Sequence, residues 1–239
     1  MSIAGKVYIG ILAELELVFI WRQATPEAKV IIVFLIIFSI AAWSVMAAKA
    51  LQMRRARKLN MYFDAEFRRT PRVLDIFDRR LQVDGCPMFA VYQEGCLSLD
   101  KKLRENANER RQTTTLKGME HVKRALEGAV ASESLKLESG LILLAIAVSG
   151  APFLGLLGTV WGVMSTFSHV AMKGEATLAT MAPGVAAALI TTVAGLLVAI
   201  PSMFGYNWLV HNLRAMTVQL DNFAQELASK MESEHLEEK

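Results

Sequence analysis

The chain has 239 residues, of which 53% are hydrophobic and 21% are charged, and its formal net charge at pH 7 is +3. The charged residues are segregated, because none of them fall within 30–48, 139–168 or 176–210. This pattern is typical of a multi-pass membrane protein and argues against a soluble core, while the small net charge gives no reason to expect nucleic-acid binding. We therefore expect an all-α membrane protein with three transmembrane helices.

Residues 1–29 are expected to form a periplasmic N-terminal segment. Its apolar run at 7–21 is interrupted by Glu14 and Glu16, which argues against a secretory signal peptide. A helix lying on the membrane surface is the favoured interpretation, and a poorly ordered leader is the alternative.

The first transmembrane helix is predicted at 30–48, where large apolar side chains predict contact with lipid. The basic residues near its ends are distributed unequally. Arg22 and Lys29 precede the span, whereas Lys49, Arg54, Arg55, Arg57 and Lys58 follow it. The more positive side faces the cytoplasm, so we expect the N-terminus outside and the C-terminus inside.

Residues 49–138 are predicted to form a cytoplasmic helical region. Turn signals at Thr70-Pro71 and Asp84-Gly85 divide it into short helices. From Leu116 onward, apolar residues recur at helical spacing: Met119, Leu126, Val130, Leu137, Leu141 and Leu144. We expect this amphipathic helix to run into the second span without a clear break.

The second and third transmembrane helices are predicted at 139–168 and 176–210, joined by a periplasmic turn at 169–175. Pro152 and Pro183 are expected in the first turn of their helices, where the missing N–H of proline costs no hydrogen bond. Pro201 lies deep in the third run and is expected to kink the helix near its inner end.

The last segment, 211–239, is predicted to be a cytoplasmic helix followed by an acidic, disordered tail after Met231. Apolar residues of this helix follow a coiled-coil-like spacing: Leu213, Met216, Leu220, Phe223, Leu227 and Met231. This seam has two interpretations, self-association around an axis or packing on the helix that begins near Leu116.

Small residues are concentrated in the second and third spans and predict a closely packed hairpin. The pattern Gly158-x-x-x-Gly162 lets helix backbones approach closely in lipid. The residues assigned to this packing are Gly155, Gly158, Gly162, Pro183, Gly184 and Gly195.

None of the three spans contains Asp, Glu, Lys, Arg or His, so the chain cannot relay protons through its own membrane carboxylates. The spans do contain the hydroxyls of Thr159, Thr191 and Thr192, which can bond the i−4 carbonyl of their own helix or reach across a helix interface. No catalytic triad, phosphate-binding loop or zinc-ligand spacing is present, and Cys86 and Cys96 are expected to be reduced thiols. We therefore expect no enzymatic activity, no cofactor and no metal site.

The stretches APFLGLLGTVWGVMSTF at 151–167 and MAPGVAAALITTVAGLLVAIPSMFGYN at 181–207 resemble the MotA/TolQ/ExbB proton-channel family. The resemblance is greatest to its TolQ and ExbB members. FSIAAWSV in the first span and LDNFAQELASKM in the last helix look slightly more like TolQ.

This resemblance implies a proton-channel or motor subunit of the inner membrane, which forms a homopentamer around a pair of TolR/ExbD-like single-span proteins. The partner's membrane Asp would take up and release protons, and the proton-motive force would thereby drive work on the cell envelope. The resemblance also implies TolA/TonB-like proteins as possible further partners. Thr159 and Thr192 match the family positions that line the pore beside this Asp.

One position departs from the family pattern. TolQ and ExbB usually carry Glu where this chain has Ala187, within GVAAAL at 184–189. Two classes of function therefore stay open, a proton-driven motor subunit and a non-conducting membrane scaffold that assembles partners.

Overall fold

The computed structural model describes residues 25–104, 113–174 and 177–236, and within them the chain forms six α-helices and no β-strand. In chain order these are α1 Pro26–Arg69, α2 Asp75–Asp78, α3 Pro87–Arg104, α4 Leu116–Glu138, α5 Leu141–Lys173 and α6 Leu178–His235. The all-α fold predicted from the sequence is confirmed. The expected surface helix at 7–21 lies outside the described residues.

Three of these helices, α1, α5 and α6, are long and apolar enough to cross a membrane. Helices α1 and α6 have 44 and 58 residues. A bilayer requires about 20 residues, so both helices continue from apolar into polar sequence. The prediction of three transmembrane helices is confirmed, and their orientation stays a prediction.

The chain divides into two compact units. The membrane unit comprises the described residues of Met1–Met46 and Gly140–Asn207, and the polar unit comprises those of Ala47–Ser139 and Trp208–Lys239. Every charge-free stretch of the sequence lies mainly in the first unit, so the segregation of charge along the chain corresponds to a division in the fold.

In the membrane unit, α1 runs alongside α6 in the same direction. Ala28, in the first turn of α1, contacts Ala187, the tenth residue of α6, and Met46 lies against Gly205 further along both helices. Large apolar side chains of α1 remain exposed, as expected for a surface that contacts lipid: Val30, Val33, Phe34, Ile37 and Ile40. Helices α1 and α6 therefore begin on the same side of this unit.

A buried cluster of aromatic and aliphatic side chains holds the polar unit together. The rings of Phe67 and Phe223 pack edge to face with centroids 5.2 Å apart. The Tyr92 hydroxyl donates to the Val73 carbonyl at 2.5 Å and accepts from the Phe77 N–H at 2.9 Å. Burial raises the pKa of Tyr92, so its hydroxyl keeps the proton that it donates.

The apolar seam of α6 is covered within the chain. All of its residues are buried: Leu213, Met216, Leu220, Phe223, Leu227 and Met231. The last four share one cluster with residues of α4, namely Met119, Val122, Leu126 and Val130. Packing on α4 is therefore the interpretation that the structure supports, and self-association is not needed to explain the seam.

The expectation of an unbroken helix from Leu116 into the second span is wrong. Helix α4 ends at Glu138, and Gly140 adopts a left-handed conformation with φ of 83° before α5 begins. A residue with a β-carbon rarely adopts this conformation, which is why glycine commonly ends helices. The apolar periodicity continues across the break, since Leu137 and Leu141 are both buried.

The expected positions of two prolines are also wrong. Helices α5 and α6 begin at Leu141 and Leu178, so Pro152 and Pro183 lie inside them rather than in the first turn. Each proline removes one backbone hydrogen bond from the helix interior. Membrane helices tolerate this loss because neighbouring groups satisfy the freed carbonyls. Pro201 lies inside α6, as predicted.

The expectation of a disordered tail after Met231 is wrong up to the end of the described residues. Helix α6 continues to His235. Glu232 pairs with Lys123 at 2.6 Å, and the Glu234 carboxylate accepts from the Val73 N–H at 2.9 Å. These contacts give the acidic residues partners in other parts of the polar unit, which a count of charges along the sequence cannot show.

The fully buried Leu227 provides a test of the polar core. Leu227 is 0% exposed and Leu135 is 67% exposed, so Leu227→Ala should lower the free energy of unfolding by about 2–5 kcal/mol while Leu135→Ala changes it little. Thermal denaturation of the purified protein in detergent, followed by circular dichroism, measures both variants. Equal effects of the two substitutions would show that the seam is not packed as described.

Candidate functional site

Helices α5 and α6 form a hairpin in which small residues bring the two backbones together. A β-carbon added to Gly158 would lie 2.6 Å from the Thr191 hydroxyl oxygen, and one added to Gly162 would lie 2.7 Å from the β-carbon of Ala188. Real β-carbons essentially never approach other atoms more closely than 3.0 Å. The structure therefore places these two glycines at close contacts between the helices.

The other residues assigned to helix packing lie along the same hairpin. A β-carbon on Gly155 would lie 2.8 Å from the Thr191 carbonyl oxygen, and one on Gly195 would lie 2.5 Å from the Ala151 carbonyl oxygen. Gly184 lies against the Thr166 side chain, and Pro183 is partly buried in the second turn of α6. Gly155 and Gly195 thus let the backbones themselves touch.

Three threonine hydroxyls meet where the helices are in close contact. The hydroxyls of Thr159 and Thr192 are hydrogen-bonded to each other, and the Thr191 hydroxyl lies 3.3 Å from that of Thr159. We call these three side chains the hydroxyl cluster. The structure therefore brings together the two predicted site residues, Thr159 and Thr192, and adds Thr191 to them.

Two backbone carbonyls complete the hydrogen bonds of the hydroxyl cluster. The Gly155 carbonyl oxygen lies 3.0 Å from the Thr191 hydroxyl and 3.2 Å from that of Thr192. The Ala188 carbonyl oxygen lies 2.7 Å from the Thr191 hydroxyl and 3.2 Å from that of Thr159. Each hydroxyl has one proton to donate, so these acceptors satisfy the cluster without any group from outside the hairpin.

The hydroxyl cluster contains both kinds of hydrogen bond predicted for the threonines, the bond within one helix and the bond across the helix interface. Thr159 lies 3.3 Å from the carbonyl of Gly155, four residues earlier in α5, and 3.2 Å from the carbonyl of Ala188 in α6. The first contact is the local i−4 bond and the second links the helices. The cluster therefore links α5 and α6 by hydrogen bonds.

The three hydroxyls differ in their access to other molecules. Thr191 is 0% exposed, whereas Thr159 and Thr192 are partly exposed. A group outside the hairpin can therefore reach Thr159 and Thr192 but not Thr191. Sequence reasoning noted the Thr191 hydroxyl without assigning it to the site, because its position opposite Gly158 depends on how the two helices are aligned.

The hydroxyl cluster contains no side chain that carries charge. It can donate and accept hydrogen bonds, and it can orient water or a carboxylate, but it cannot itself store a proton near neutral pH. Among the described residues, no group of three or more His, Cys, Asp or Glu side chains is arranged to hold a metal ion. Any titrating group that acts at this cluster must come from outside it.

Ala187 lies on α6 one turn before Thr191. It is 1% exposed and packs against Ala28 of α1. At the position where the family pattern implies Glu, this chain therefore has a methyl group buried against another methyl group.

Comparison with known proteins identifies the family. Residues 98–222 match the model of the MotA/TolQ/ExbB proton channel family. The chain belongs to this family. The matched region contains the whole hairpin contact, including the hydroxyl cluster and all six residues assigned to helix packing.

Two relatives match over nearly their whole length, and a third matches more closely over a shorter region. The chain is 30% identical over 221 residues to the Tol-Pal system protein TolQ of Haemophilus influenzae, which covers 91% of this chain and 94% of the relative. It is 29% identical over 213 residues to the biopolymer transport protein ExbB of Neisseria meningitidis serogroup A, covering 89% of this chain and 96% of the relative. Its identity to TolQ of Pseudomonas aeruginosa reaches 51%, but over only 89 residues, or 37% of this chain and 38% of the relative.

Gly158 provides a test of the close helix contact in this family member. Gly158→Ala places a β-carbon against Thr191 and should destabilise the hairpin by about 1–3 kcal/mol through overpacking. Gly150→Ala is the matched control on α5, because its β-carbon would meet only the Ile146 side chain at 3.8 Å. Thermal stability of both variants in the same detergent is the measurement, and equal melting temperatures would contradict the described hairpin.

Proposed function

We propose that the chain is a proton-channel subunit of an inner-membrane complex that couples the proton-motive force to work on the cell envelope. The observation that carries this proposal is the family match over 98–222, which includes the hairpin and its hydroxyl cluster. Relatives named TolQ and ExbB both match most of the chain, so a Tol-Pal-like and a TonB-dependent system are both compatible with it. The proposed activity is transport and includes no enzymatic reaction.

The proposed roles of Thr159 and Thr192 follow from their partial exposure. We assign both to the wall of the proton pathway, where their hydroxyls hydrogen-bond a carboxylate of a partner and the water beside it. Their cluster has no titrating group of its own, so the proposal requires a TolR/ExbD-like single-span protein that carries a membrane Asp. A TolA/TonB-like protein is a possible further partner.

We propose that copies of the chain form a homopentamer around the partner helices. The N-terminus is placed outside and the C-terminus inside because basic residues follow the apolar part of α1. The common direction of α1 and α6 agrees with an arrangement in which both helices enter from the same face. In this arrangement 1–29 and 169–175 face the periplasm, while 49–138 and 211–239 face the cytoplasm.

A non-conducting membrane scaffold is the second candidate function. Two observations favour it: Ala187 replaces the Glu of the family pattern, and the hydroxyl cluster is satisfied within the hairpin. A scaffold would need the close helix contact but no access from outside to Thr159 or Thr192.

Thr192→Val separates these two functions. The substitution removes a hydroxyl and nearly conserves shape, so the complex should assemble normally while proton flux into liposomes falls by roughly tenfold, the equivalent of about 1.4 kcal/mol. Thr217→Val is a matched control, because the Thr217 hydroxyl bonds Ser134 in the polar unit. Full proton flux in the Thr192→Val complex would remove this residue from the proposed pathway.

The composition of the complex tests the proposed assembly. Native mass spectrometry of the complex, extracted gently from its own membranes, should show five copies of the chain with two copies of a single-span protein that carries an Asp. A homo-oligomer without such a protein, obtained in more than one detergent, would support the scaffold instead.

A further inference from the structure

The polar unit contains a cleft of about 790 Å³, which we call the boundary cleft. Its walls are one face of α1 at 51–56, the turn at 82–86, the start of α3 and the end of α4. Ligand sites in proteins usually have volumes of about 300–1,000 Å³, so the cleft is large enough for a small molecule or a headgroup. None of its lining residues belongs to the hydroxyl cluster or to the hairpin, and the proposed proton pathway gives the cleft no role.

Two walls of the boundary cleft are helices whose chain continues directly into the membrane unit. Helix α1 leaves the membrane unit at Met46, and Leu51 of the cleft follows five residues later, which is about 7.5 Å along the helix axis. At the end of α4, Leu137 of the cleft precedes by three residues Gly140, where the membrane unit resumes. The Lys49 ammonium donates to the Leu137 carbonyl at 3.4 Å and thereby joins the two walls. The cleft therefore lies where lipid-facing sequence changes to polar sequence.

The α1 wall carries an excess of positive charge. Five basic residues and no Asp or Glu occur between 47 and 63: Lys49, Arg54, Arg55, Arg57 and Lys58. The three arginines are exposed, and none of them forms an ion pair with another described residue. Clusters of four to eight Lys and Arg residues next to a membrane helix are typical of segments that bind anionic phospholipids.

The acidic side chains of the boundary cleft do not cancel this charge. The Glu133 carboxylate pairs with the Lys136 ammonium at 2.6 Å, so these two lining residues together carry no net charge. Asp84 and Arg55 are the other charged lining residues, and their charges are also equal and opposite. The remaining basic residues of α1 have no acidic counterpart in the cleft. The region as a whole is therefore positive and favours a ligand with net negative charge.

Neutral groups of the boundary cleft also suit a phospholipid. The amides of Gln52, Gln82 and Gln93 line it and can donate hydrogen bonds to phosphate and ester oxygens. Leu51 lines it as well and is 66% exposed, which is unfavourable in water and favourable against an acyl chain. A cation, several amide donors and an exposed leucine match the phosphate, the ester groups and the acyl chains of one lipid.

We propose that the boundary cleft binds the headgroup of an anionic phospholipid from the adjoining membrane leaflet. Arg55 contacts the phosphate, the amides bond the remaining oxygens, and the acyl chains extend past Leu51 along α1. Arg54, Arg57 and Lys58 do not line the cleft and only attract anionic headgroups to its surroundings. This inference goes beyond the proposed function, because it applies equally to a proton channel and to a scaffold.

The experiment compares four forms of the complex, each purified in mild detergent and freed of its lipids. These are the wild type, Arg55→Gln, Gln82→Trp and the matched control Arg54→Gln. Arg54 and Arg55 are adjacent, exposed residues of one type, but only Arg55 lines the cleft. Gln82→Trp narrows the cleft at an exposed position and leaves its charge unchanged. Circular dichroism of the lipid-free forms checks that every variant is folded.

Native mass spectrometry counts the lipids bound during titration with phosphatidylglycerol, which is anionic, and with phosphatidylcholine, which has no net charge. The wild type should bind phosphatidylglycerol more tightly. Arg55→Gln should weaken this binding by about tenfold, since it removes a hydrogen bond between charged groups, and Gln82→Trp should weaken it similarly by occupying the space. Arg54→Gln should stay within about twofold of the wild type, because a solvated charge outside the cleft contributes little. An excess of inorganic phosphate should leave the lipid bound.

Four results would overturn the inference. Equal weakening in Arg54→Gln and Arg55→Gln would show diffuse attraction to the basic residues and no site in the cleft. Unchanged binding in both Arg55→Gln and Gln82→Trp would place the lipid elsewhere. Equal affinity for the two lipids would exclude selection by charge, and displacement by inorganic phosphate would show that the cleft takes a soluble phosphate compound. Proton flux enters none of these results, so they are distinct from failure of the proposed function.

Discussion

The structure of the membrane unit depends on direct contact between the backbones of α5 and α6. Lipid tails are as apolar as leucine side chains, so helices in a membrane gain little from hydrophobic burial and associate through close packing and hydrogen bonds. Gly155 and Gly195 provide that packing by leaving no side chain between the two backbones. The alignment of the hairpin follows from these contacts, and it brings Thr159, Thr191 and Thr192 into one hydroxyl cluster.

Two properties of the hydroxyl cluster bear on the two candidate functions, a non-conducting scaffold and a proton channel of the MotA/TolQ/ExbB family. Each of its hydroxyls has a hydrogen-bond acceptor within the hairpin. No buried hydroxyl is therefore left without a hydrogen bond when no other molecule is present. Thr159 and Thr192 are nevertheless partly exposed, and hydroxyls can exchange one hydrogen-bond partner for another. In the proposed function, a carboxylate from a partner engages Thr159 and Thr192, while Thr191 keeps its hydrogen bonds between the two helices.

The polar unit is held together in a different way, by burial of apolar side chains. The α6 seam continues beyond the apolar sequence, where water makes exposed leucine and phenylalanine side chains unfavourable. Helix α4 covers the seam, and the aromatic rings of Phe67, Tyr92 and Phe223 fill the space between the helices. Burial drives association in this unit, whereas close backbone contact does so in the membrane unit. A single helix, α6, thus takes part in both kinds of packing.

The sequence alone determined the helical class, the three membrane helices and the buried stripes, because charge segregation and apolar periodicity are properties of local sequence. It also determined Thr159 and Thr192 as candidates, through the family motifs that contain them. The tertiary structure decided the break at Gly140, the interior positions of Pro152 and Pro183, and the partners of the acidic tail. It also decided the inclusion of Thr191 in the cluster. These features depend on which residues face each other across helices, and no pattern within one segment specifies the alignment of two segments.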